Sequence, residues 1–169
     1  MPGDVDKFTA LYRTNHPQVY AYAVTRAGRH QADEVVADTF LIAWRRFNAI
    51  PRDHPLPWLL AVARNVTRER FRAESRQQAI TAEMQAWVQD AEDIADGVTE
   101  RATVLAALTR LSEEDRELLT LIAWQGLTST QVAKVLGCTT ATYFVRLHRA
   151  RRRLQAAMTN HPRLKESIR

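Results

Sequence analysis

One cysteine, Cys138, is all the thiol chemistry this chain carries, which excludes an internal disulfide, and no second Cys or His stands near it at metal-ligand spacing. Glycine is nearly as scarce, with five in 169 residues. No Asn-Gly or Asp-Gly turn sits between alternating apolar runs, so strands and hairpins have almost no signal. Long apolar runs are missing too: nothing approaches the roughly 20 residues that span a bilayer. The opening MPGDVDKF is acidic where a secretory signal would be basic and then greasy, so a cytoplasmic location without a membrane is expected. A phosphate-cradling Gly loop, HExxH and GxSxG are all absent, which leaves little room for an enzyme.

What is present is a helical pattern, with 46% hydrophobic and 25% charged residues, enough to build a packed core. Apolar residues recur at helical spacing almost throughout, predicting an all-α protein. Charge is unevenly spread. Residues 1–72 hold 11 Lys+Arg against 7 Asp+Glu, residues 73–100 hold 1 against 7, and residues 101–169 hold 12 against 5. Two basic blocks around an acidic connector suggest two small helical domains that each meet a polyanion.

The segment 8–26 reads as two short helices broken near Pro17, with Phe8, Leu11, Tyr12, Val19 and Tyr20 as apolar contacts and Gly28 as the stop. In ADEVVADTFLIAWRRF (32–47), Val36, Phe40, Ala43 and Phe47 share one side, and Glu34, Asp38, Leu41 and Arg45 gather on the other. Asp33 and Glu34 fall in the expected first turn, where the helix dipole favours them. Leu41, exposed among charges, hints at a docking surface. NAIPRDHPLP (48–57) carries three prolines and is a loop, with Pro57 expected at the first position of the next helix. In 57–72, Leu59, Val62, Ala63 and Val66 form an apolar stripe, while Arg64, Arg68 and Arg72 line another face. The acidic segment 73–100 keeps a helical period at Ile80, Met84, Trp87 and Ala91, predicting a linker with a short amphipathic helix.

Beyond Thr103 three helices follow closely. Leu105, Leu108 and Leu111 end the first. Ser112 with Asp115 predicts a capping box before Leu118, Leu119 and Ile122, and Gly126 ends that helix. Thr128 with Gln131 predicts a second box before Val132, Ala133, Val135 and Leu136, and Gly137 supplies a left-handed stop. The last helix, TTATYFVRLHRARRRL (139–154), turns Tyr143, Leu147, Ala150 and Leu154 inward. Helix, Gly-containing turn, helix is the order and spacing of a helix-turn-helix. That unit places the start of its second helix in the DNA major groove. The assignment puts Thr140, Phe144, Val145, His148 and Arg149 in the groove and Arg146, Arg152 and Arg153 on phosphates.

Taken together, the motifs resemble those of bacterial extracytoplasmic-function (ECF) sigma factors, the minimal two-domain RNA polymerase initiation subunits. ADEVVADTFLIAW resembles the family's AEDLVQETFLRAW, PWLLAVARNVTRERFR resembles its WLYRIARN helix, and the chain from LSEEDRELL to RARRRL resembles its second domain. The resemblance implies three parts: sigma region 2 over 1–74, an acidic linker over 75–101 and sigma region 4 over 102–169. It implies that Glu34, Asp38, Leu41 and Arg45 dock on the clamp coiled coil of core RNA polymerase. It further implies that the loop from Asn48 through Arg52, Asp53 and His54, with Arg64, Asn65, Arg68 and Arg72, opens the minus-ten element and holds a flipped base. Promoter DNA and an anti-sigma factor are the other implied partners; no cofactor and no metal is implied.

Departures from the family pattern are specific. Where the family writes VKSR, this chain has Tyr143, Phe144, Val145 and Arg146; the basic and hydroxyl positions are now Phe144 and Val145, which can meet thymine methyls but cannot donate to guanine. Ala37 and Ile42 stand where Gln and Arg are usual. The linker, fully extended, reaches on the order of 85 Å, enough for two promoter elements a couple of DNA turns of about 34 Å apart. A stand-alone helix-turn-helix regulator is the alternative, sharing the second half but having no use for the acidic helix or the proline-rich loop.

Overall fold

The computed structural model describes residues 2–74 and 100–159. The linker helix expected around Ile80 to Ala91 and the C-terminal residues 160–169 lie outside them. The described residues form seven α-helices and no strand. Helices α1 (Pro2–Ala27), α2 (Arg29–Arg45) and α3 (Pro55–Glu74) make the first lobe, with a 3-10 turn at Phe47–Ala49. Helices α4 (Glu100–Thr109), α5 (Glu113–Gln125), α6 (Ser129–Leu136) and α7 (Thr140–Thr159) make the second.

Helix α1 corrects the expected break: it runs through Pro17 without interruption. Proline removes one backbone donor and disfavours helix interiors. Here the helix carries Val19, Tyr22, Ala23 and Ala27 into the core against α2 and α3, and that tertiary burial outweighs the local cost. Just upstream, the buried Asn15 amide donates to the Leu11 carbonyl at 2.8 Å. Tyr12 makes its expected apolar contact from the rim, with its ring 4.6 Å from Phe40.

Gly28 joins α1 to α2 with φ of 77°, a conformation glycine adopts without a Cβ clash. Because α2 starts at Arg29, Asp33 and Glu34 fall beyond its first turn, and the expected dipole role is not theirs. The core side of α2 is as expected for Val36, Phe40 and Ala43, joined by Ala32, Val35 and Thr39. Likewise α3 starts at Pro55 rather than Pro57, since either proline tolerates a position whose N–H has no intrahelical acceptor. Its buried face is wider than the expected stripe, because Leu60 and Thr67 join Leu59, Ala63 and Val66.

In the second lobe, Thr128 and Gln131 form the reciprocal capping box of α6. Ser112 caps α5 by accepting from the Asp115 amide at 3.3 Å. The expected return bond is missing, because the Asp115 carboxylate turns to Arg153 at 2.6 Å. Gly126 and Gly137 both adopt the left-handed conformation that ends a helix. On α5 the buried apolar side chains are Leu118 and Leu121, with Leu119 and Ile122 only partly covered. Between α4 and α5, Arg116 donates to the carbonyls of Leu108, Thr109 and Leu111, each at 3.1 Å. It thereby satisfies acceptors that the end of α4 leaves open, and burial lowers its pKa.

The two lobes are packed together. Helix α3 lies against α1 and α2 on one side and against α6 on the other, and α1 also touches α5. One apolar cluster therefore runs from Val19 and Leu59 through Leu118 and Leu121 to Val132 and Leu147.

Candidate nucleic-acid interface

Helix α7 presents the surface its sequence implied. Tyr143, Leu147 and Ala150 are buried and Leu154 is half-buried, so the helix is seated on its neighbours α4, α5 and α6. The outer side leaves Phe144 at 53% and Val145 at 51% exposure, beside exposed Thr140, Arg146, His148, Arg149 and Arg152. Adjacent in sequence and both half open to solvent, these two apolar side chains are available for contact with a partner. The turn before α7 is braced by the Thr139 hydroxyl, which accepts from the Thr142 amide at 3.1 Å. Arg146, Arg149 and Arg153 line a cleft of about 220 Å³ whose other wall carries Glu114 and Asp115.

The first lobe brings its expected groups together less completely. Asn48, Arg52, Asp53 and His54 are exposed on the loop leading into α3, and Asn65, Arg68 and Arg72 are exposed on the helix. Arg64 is not with them. Standing one turn after the buried Leu60, it is drawn into the seam between the lobes, where its Nε donates to Oε1 of Glu117 at 3.0 Å. The same carboxylate oxygen accepts from the Tyr22 hydroxyl at 2.6 Å. Glu117 is 2% exposed. Arg26 completes the group, with its Nη2 3.1 Å from Glu113 and its Nε 3.7 Å from Glu117.

Sequence reasoning missed Glu117, Arg26 and Tyr22. The available signal was an acid one turn before Leu121 on the buried side of α5, because acids are almost never fully buried unless paired. Burial first, and then the charge of Glu117, raise the Tyr22 pKa well above the ordinary tyrosine value.

On α2, Leu41 is 47% exposed as expected, and Trp44, not singled out in the sequence, is 44% exposed beside it. Glu34 and Asp38 are bridged by Arg70 of α3, which donates to Asp38 Oδ2 at 2.6 Å and to Glu34 Oε2. These hydrogen bonds, Asp38's foremost, raise the Arg70 pKa. Arg45 is exposed near the end of the same helix. Among the described residues no three His, Cys, Asp or Glu side chains gather as a metal site, and no helix is long and apolar enough to cross a membrane.

Comparison with known proteins gives the family. Residues 11–77 match the model of Sigma-70 region 2, and residues 101–154 match that of Sigma-70, region 4. The SigK ECF RNA polymerase sigma factor of Mycobacterium sp. (strain KMS) is 32% identical over 148 residues, covering 82% of this chain and 76% of that protein. The chain is an ECF sigma factor. It is also 33% identical over 147 residues to the ECF sigma factor BldN of Streptomyces coelicolor, covering 80% of this chain and 54% of that longer relative. Among solved structures, the sigma factor RpoE of Bartonella quintana, in complex with the anti-sigma factor NepR, aligns with a TM-score of 0.69 at 25% identity. That alignment covers 91% of this sigma factor and 98% of RpoE.

Proposed function

We propose that this sigma factor joins core RNA polymerase and directs it to promoters by a division of labour between its lobes. The outer side of α2, with Glu34, Asp38, Leu41 and Arg45, docks on the clamp coiled coil. The loop Asn48 to His54 and the exposed side of α3, with Asn65, Arg68 and Arg72, open the minus-ten element, and Arg64 joins them when it leaves the seam. Helix α7 reads the minus-thirty-five element as duplex. No covalent step is asked of the chain: it acts by binding, in the cytoplasm, without a cofactor. As for the sigma factor RpoE, solved with an anti-sigma partner, control by an anti-sigma protein is part of this reading.

The observation that carries the proposal is the exposed pair Phe144 and Val145 on a helix whose opposite side is fully seated. An apolar pair at the start of a recognition helix suits thymine methyls and offers no donor to guanine. The minus-thirty-five preference should therefore favour thymine at the bases these two residues meet. Transcription in vitro with core polymerase and genomic DNA, with start sites mapped, tests the function. Failure to associate with the polymerase or to redirect initiation would overturn it. Selection of bound duplexes from random DNA tests the preference, and a strong guanine requirement opposite Phe144 or Val145 would refute it.

A further inference from the structure

The seam between the lobes holds a charge arrangement that packing alone does not require. Arg26 and Arg64 come from two different helices of the first lobe, and both turn toward one carboxylate of the second. The contacts converge on one of its two oxygens. Its Oε1 accepts from Tyr22 and Arg64, while Arg26 Nε, 3.7 Å away, is buried and has no hydrogen-bond acceptor among the described residues. Arg26 also holds Glu113, through Nη2 on its carboxylate at 3.1 Å and Nη1 on its carbonyl at 3.4 Å, so its Nε is the one donor of the pair left over, and both guanidiniums face the same small anion. A phosphate has more acceptor oxygens, and guanidinium forks bind it in charge-assisted pairs.

We propose that Glu117 is an internal stand-in for a nucleic-acid phosphate: it fills a phosphate-binding pair formed by Arg26 and Arg64, and single-stranded DNA competes for that pair by parting the lobes. This rests on the assignment of α3 to the minus-ten strand, and it adds Arg26 to the nucleic-acid interface. The packed form is then the resting state, in which Arg64 is withheld from DNA by α5. Polar groups reinforce the closed seam at a second point, where the Gln125 amide donates to the Gln18 carbonyl at 3.3 Å. Competition follows from reciprocity: if closing the lobes hides the phosphate pair, occupying the pair must favour the open form by the same factor.

The test uses the full chain, small-angle X-ray scattering for the radius of gyration, and fluorescence anisotropy with a labelled single-stranded oligonucleotide. Glu117→Gln keeps an oxygen acceptor for Tyr22 and removes the charge. It should expand the unliganded protein and tighten oligonucleotide binding by roughly tenfold or more, the effect expected for unmasking a buried charge pair. Adding Arg26→Ala to that variant should return most of the gain. In the unsubstituted protein, saturating oligonucleotide should itself raise the radius of gyration, a reading that depends on no variant folding. Unchanged scattering on oligonucleotide binding, no detectable binding, or a compact Glu117→Gln protein of unaltered affinity would each overturn the proposal. Transcription with core polymerase is scored separately: loss of promoter direction with the scattering response intact would refute the proposed function and leave the competition standing.

Discussion

The Tyr22 hydroxyl donates to Glu117 at 2.6 Å although the two residues lie 95 positions apart, and the bond ties the first helix of one lobe to the second helix of the other. A buried phenol on a buried carboxylate is strong while the proton stays and unfavourable once it leaves. Because the folded pKa of Tyr22 is raised, the folded chain holds this proton more tightly than the unfolded chain does. The associated stability is fully present below the ordinary tyrosine pKa of about 10 and is lost as pH rises above it. Denaturant midpoints measured from pH 8 to 11 should fall more steeply for the natural protein than for Tyr22→Phe. At neutral pH the same variant should be less stable by about 1.5–3 kcal/mol, the range for a hydrogen bond to a charged group.

Truncations should separate core from contact surface. Leu59 is fully buried, so Leu59→Ala should cost about 2–5 kcal/mol in chemical denaturation. Phe144→Ala should change stability by no more than about 0.5 kcal/mol and weaken binding to a minus-thirty-five duplex. Equal stability losses for the two would contradict the assignment of Phe144 to an open surface.

Thr128→Ala should remove the bond its hydroxyl accepts from the Gln131 amide, destabilising the protein by about 1 kcal/mol. For a chain of this size that corresponds to a fall of about 2–4 °C in melting temperature. Ser112→Ala, whose cap lacks the reciprocal side-chain bond, should cost less. Calorimetry on the pair checks the order.

On the α2 surface, Leu41→Ala and Arg70→Ala should affect polymerase association through different causes. The first removes an exposed apolar contact with folding stability unchanged. The second frees the Glu34 and Asp38 carboxylates that Arg70 bridges. Core-polymerase pull-down should weaken in Leu41→Ala, and the salt dependence of association should change only in Arg70→Ala, where charge is removed.

Binding of a promoter fragment should fall roughly tenfold or more between low and moderate salt if several phosphates are neutralised. Fluorescence titration at two salt concentrations measures it, and a flat response would contradict the role of the arginines on α3 and α7.

Local signals carried most of the fold. The glycines at 28, 126 and 137, the Thr128 box, and the inward set on α7 were legible because each depends on neighbours within a turn or two. Pro17 was misread because its penalty is local and its compensation is tertiary. Phe144, Val145 and Leu41 were legible as surface residues because their neighbours on the opposite arc fill the core. Arg64 was read with Arg68 and Arg72 as one basic row, since helical spacing alone cannot reveal which member a distant acid will capture. Glu117 supplies that acid from 53 residues away.

Helix α3 is a shared wall, with α1 and α2 on one face and α6 on another. A wall common to two rooms cannot be assigned to either when the house is divided. A chain nicked between residues 75 and 99 should accordingly yield fragments that recombine when mixed, each half restoring the covering the other has lost.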